Sequence, residues 1–201
     1  VGLAVSALVD RAIESAGLGD VLAARRRGGL SDAVVVRLRD ADLLVLGALA
    51  DRVRADEVGP EVRIWLGESV EDPSSVTFPG DDRDRTGLEL LREIAIARVT
   101  GPGGVRLRVD WMRCGLELAQ VALGFGADEL VGRIATKRGL PIAEGELSGV
   151  GKKSRRELAQ SVKLRELAGY VRRAGRQPVI IGHDGAPQAF DEGPAVQEAN
   201  P

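Results

Sequence analysis

The sequence holds a single cysteine and a single histidine among 201 residues. One thiol, Cys114, excludes an internal disulfide and fits a reducing compartment. One thiol and one imidazole also offer no cluster of metal ligands, so no metal site is expected. A serine–histidine–acid triad would have to use His183, whose neighbour in sequence is Asp184; adjacent residues do not make a dyad. Aromatics are only 3% of the chain, so a core must come from Leu, Val, Ile and Ala, which the 44% hydrophobic content permits. No apolar run reaches the ~20 residues of a membrane span. The start lacks the basic segment and small-residue cleavage site of a secretory leader, although residues before Val1 can be missing. A cytoplasmic protein without a membrane partner is the expectation. The formal net charge of −2 gives no reason to expect a nucleic-acid partner. The basic runs Arg25-Arg26-Arg27 and Lys152-Lys153-Ser154-Arg155-Arg156 read as solvated helix ends.

What the chain does contain is α/β patterning, centred on Trp111 to Ile134. Val105, Leu107 and Val109 alternate with Arg106 and Arg108, the period of a half-buried strand. Leu116, Ala119 and Leu123, with Leu118, Val121 and Ala122 beside them, follow at helical spacing. Gly124 and Gly126 bracket the helix end, and Asp128-Glu129-Leu130-Val131-Gly132 reads as a short strand with acids where it begins. Strand, helix and strand joined by short connections predict a parallel sheet covered by helices. Strands are predicted near 62–66, 105–109 and 129–134, with a further short one near 76–78.

Upstream, residues 3–17 read as a helix ended by glycines. Asp20 is expected to cap a second helix, Ser31 a third, and Asp40 or Asp42 a fourth. Residues 67–86 are a long Pro- and charge-rich loop, a kind that in compact domains carries function or moves. Thr86-Gly-Leu-Glu89 is a capping box opening a helix to Arg98. A second box at Ser154–Glu157 opens a helix that buries Leu158, Val162, Leu164, Leu167, Ala168 and Val171 and ends at Gly175. PVII at 178–181 is a short apolar segment, and 182–201 a loose tail. Gly101-Pro-Gly-Gly104 precedes a strand, not a helix, so it is no phosphate loop. The division is an N-terminal helical region at 1–58, a partial barrel at 59–181 and the tail.

Several of these segments together resemble a family. Thr86-Gly87, Glu93 to Arg98, Trp111, Gly115 to Leu123, Gly126 to Leu130 and Arg173 to Pro178 are similar to the menaquinone-pathway branch of the radical S-adenosylmethionine enzymes. That branch comprises aminofutalosine synthase and dehypoxanthine futalosine cyclase, with the deazaflavin synthases nearby. Residues 30–58 look like the family's N-terminal helices, and the likeness spans roughly half to two-thirds of the chain. It implies a (β/α) barrel and a nucleoside-like ligand. The departures imply more. The family holds its iron–sulfur cluster with a Cys-x3-Cys-x2-Cys loop after the first strand. Here Gly67 is followed by Glu-Ser-Val-Glu-Asp, and Cys114 lies in another segment. The family's acid ending its last strand is matched by Glu129, and its Gly-Thr by Gly132-Arg133. A full barrel needs about 250 residues, so the chain looks like an internally deleted relative.

The fold expected is therefore α/β: an incomplete or rearranged (β/α) barrel with an N-terminal helical cap. The function expected is a non-catalytic, accessory or binding relative that carries no cofactor. A cluster-independent enzyme acting on a nucleoside-like molecule, or a ligand-free scaffold, is the alternative. Asp128, Glu129, Arg133 and Trp111 are the candidate ligand contacts; the plain alternatives are a solvated turn for the acids and a packing anchor for Trp111. Cys114 reads as a small core residue. A barrel with its middle removed would leave VRIWL and VRLRV as sheet edges. A second copy of the chain, or a complete radical enzyme of the pathway, would be the partner covering them.

Overall fold

The computed structural model describes residues 2–28, 30–66, 74–79, 85–135 and 162–189. Four helices come first: α1 (Gly2–Ser15), α2 (Gly19–Arg26), α3 (Asp32–Asp40) and α4 (Leu43–Val58). Of the two candidate caps for α4, Asp42 is the one used: its carboxylate accepts from the backbone N–H of Leu44 and Val45 at 2.9 and 3.1 Å. Asp20 lies inside the first turn of α2 instead of capping it, because the helix begins one residue earlier, at Gly19. Ser31 occupies the N-cap position of α3 without a side-chain cap bond. Arg25, expected to be solvated, is instead drawn inward. It is held by Glu57 at 2.6 Å and donates to the carbonyls of Val99 and Gly101 at 2.7 and 2.8 Å.

The strands and remaining helices alternate: β1 (Glu61–Trp65), β2 (Ser75–Phe78), α5 (Gly87–Thr100), β3 (Arg106–Asp110), α6 (Trp111–Cys114), α7 (Leu116–Ala122), a 3₁₀ turn (Leu123–Phe125) and β4 (Glu129–Val131). After them come β5 (Ile134–Ala135), β6 (Val162–Lys163), α8 (Leu164–Arg173), β7 (Gln177–Ile181) and β8 (Pro187–Gln188). Thr86 and Glu89 close the anticipated capping box at the start of α5. The Trp111 helix is not continuous. Gly115 at φ 89° breaks it into α6 and α7. The box at Ser154–Glu157, Leu158 and the basic run from Lys152 lie outside the described residues, while Val162 belongs to β6 and not to a helix.

The main sheet runs β2-β3-β4-β1-β7-β8, with every neighbouring pair parallel except β7–β8; β5 and β6 pair separately in parallel. The fold is α/β with a mostly parallel mixed sheet. Two expectations are corrected by this order. VRIWL (β1) lies between β4 and β7, and VRLRV (β3) between β2 and β4, so neither is an edge. PVII is a full member of the sheet, and residues 187–188 of the presumed tail pair with it.

The pleat separates two chemistries. The row Phe78, Val109, Leu130, Ile64 and Ile180 faces the helices and joins Leu46, Leu49, Leu91, Ile94, Ala119 and Leu167 in the main core. The adjacent row, Thr77, Arg108, Glu129, Arg63 and Val179, faces the other way. On that second face Trp65, Val131 and Ile181 form a small apolar cluster of their own. Close packing on the helical side is visible at Gly47 of α4. A Cβ there would lie 2.7 Å from the Phe125 ring, so only glycine lets α4 approach the turn before β4.

Candidate functional site

The acids of the Gly126–Glu129 segment have firm positions. Gly126, at φ 98°, turns the chain out of the 3₁₀ turn and lays Asp128 beside β3. The Asp128 carboxylate accepts from Arg98 at 2.5 Å, Arg106 at 2.8 Å and the backbone N–H of Leu107 at 2.8 Å. Arg98 is equally buried and also donates to the carbonyls of Gly126 and Val105 at 2.8 and 2.7 Å. Burial holds the Arg98 guanidinium below its ordinary pKa, against the pull of Asp128. Glu129 points to the opposite face of the sheet. It accepts from Arg108 at 2.9 Å, the Ser75 hydroxyl at 2.9 Å and, more distantly, Arg63 at 3.4 Å. The Arg108 guanidinium lies 4.7 Å from the centre of the Trp65 ring. Both carboxylates are wholly buried at 0% exposure, which decides their character: each is enclosed by arginines.

Position along the strands divides the four candidate contacts into two pairs. Parallel α/β sheets present ligand-binding groups at the C-terminal ends of the strands. Asp128 and Glu129 lie where β4 begins, at its N-terminal end. Arg133 and Trp111 lie at the other end, following β4 and β3. Arg133 is half-buried. Trp111 is 3% exposed and packed on Gly132, where a Cβ would fall 2.3 Å from the indole. Gly132 has φ 154° and could not be replaced without moving the ring. The indole Nε1 of Trp111, like that of Trp65, is buried without a hydrogen-bond partner among the described residues.

A cavity of about 500 Å³ opens at the exit ends of β2 and β3. Pro79, directly after β2, forms one part of its wall, and Arg85, Thr86 and Gly87, leading into α5, form another. Leu90 of α5, Met112, Arg113 and Cys114 of α6, and Leu118 of α7 are the other described residues that line it. None of Asp128, Glu129, Arg133 and Trp111 belongs to this wall. The sequence signals nearest to it were the long loop before Thr86 and the capping box; nothing in one dimension joined them to the Trp111 helix.

The Cys114 thiol donates to the Asp110 carbonyl at 3.3 Å. Burial, helped by the Asp110 carboxylate, pushes its pKa up to about 11. Such a thiol is a poor nucleophile at neutral pH. Arg85 is paired with Glu93 on α5. His183 is exposed between β7 and β8 and does not line the cavity. Among the described residues, no three of His, Cys, Asp and Glu gather as metal ligands, and no helix is long and apolar enough to cross a membrane. In comparison with known proteins, no family model and no curated protein matches this chain.

Proposed function

We propose that this chain is a binding or accessory protein related to the futalosine-pathway radical enzymes, taking a nucleoside-like small molecule and performing no radical chemistry of its own. The observation that carries the reading is the cavity of about 500 Å³ at the exit ends of two parallel strands. Its size falls within the ~300–1,000 Å³ of small-molecule sites. Its position is where α/β sheets take ligands, and its thiol is held protonated.

The relationship draws support from strand order. In a closed barrel the last strands adjoin the first. Here β2, β3 and β4 follow one another and β4 lies on β1. β7 lies on the other side of β1, where a second barrel strand would run. On this reading the polar row of Arg63, Arg108 and Glu129 corresponds to the inward face of a barrel with its middle strands removed, and α1–α4 correspond to a helical cap. A second copy of the chain, or a complete radical enzyme, is the partner proposed for such a remnant. The single cysteine cannot supply three thiolates to a cluster.

Differential scanning fluorimetry with inosine tests the binding role. A saturable rise in melting temperature that disappears in Leu118→Trp, whose indole would fill the cavity, is expected. No rise, or a rise unaffected by that substitution, would remove the cavity from the account. Anaerobic reconstitution with iron and sulfide tests the chemical half. Stoichiometric cluster with release of 5′-deoxyadenosine from S-adenosylmethionine would refute it.

A further inference from the structure

We draw no further inference here: the strongest candidate, the pair of buried indole N–H groups of Trp65 and Trp111 at the exit ends of β1 and β3, carries nothing, because the two rings belong to separate apolar clusters and neither lines the cavity.

Discussion

Glu129 shows what a buried charge does in this chain. Its carboxylate is the meeting point of Arg108, Arg63 and Ser75, which come from three other strands. Removing one member of a buried ion pair leaves the others desolvated and uncompensated, at about 3–5 kcal/mol. Glu129→Gln keeps the shape and removes the charge, so it should lower unfolding stability by about 3 kcal/mol in a urea titration. Asp128→Asn should do the same, since it strands Arg98, itself only 2% exposed. A loss under about 0.5 kcal/mol, the range of surface substitutions, would mean that the arginines are solvated without their partners.

Cys114 is the second residue on which the account commits. With its pKa near 11, less than about one thiol in a hundred is ionised at pH 8. Iodoacetamide labelling of the folded protein should therefore be slow at pH 8 and accelerate through pH 10–11. Because the folded pKa lies above the usual thiol value, the folded state binds the proton more tightly. That contribution to stability is complete below the unfolded thiol's pKa and is lost as pH rises through the folded value. Labelling at pH 8 as fast as that of the urea-unfolded chain would contradict the burial.

Among the elements, those readable from sequence are the ones whose determinants are local. The Thr86–Glu89 box needs only two side chains three residues apart, and the structure forms it. Thr86→Ala should cost about 1 kcal/mol, the usual worth of a cap, measured by urea unfolding; no loss would show that α5 is held by its packing alone. β1 and β3 were legible from alternation, β4 as a short segment after a glycine turn, and β2 only as a short stretch within a loop. β7 was not, because a Pro followed by three apolar residues does not alternate and only pairing with β1 makes the segment a strand. The apolar stripe begins at Leu116, so it carried no mark of the short α6 that precedes Gly115. The role of Asp128 and Glu129 was hidden for a different reason. Their composition suggested a turn or a ligand contact, whereas their surroundings come from Arg98, Arg106, Arg108 and Arg63, brought in by pairing across the sheet. The cavity combines segments before α5 and after β3, and no spacing rule connects them.

At the scale of the whole molecule, the two faces of the sheet carry different tasks. The helix-facing side gathers the main apolar core. The other side carries an ion-pair row and a small apolar cluster. The ends of the main sheet are short: four residues in β2 and two in β8. β2 leaves Val76 exposed, a feature that favours pairing through that end over pairing through β1 or β3. If a second copy is the partner, light scattering across a concentration series should give a mass near twice 21.3 kDa, and Val76→Lys should return it to the monomer. A monomer at every concentration would rule out self-association as the way this end is covered.

The central claim is that ligand recognition lies at the exit ends of β2 and β3, and that the acids where β4 begins serve the fold. Amide chemical-shift mapping during an inosine titration addresses it directly. The account predicts that perturbations gather at Thr86, Gly87, Leu90, Met112 to Cys114 and Leu118. Perturbations gathered instead at Arg63, Ser75, Arg108 and Glu129, with the cavity residues unmoved, would contradict it.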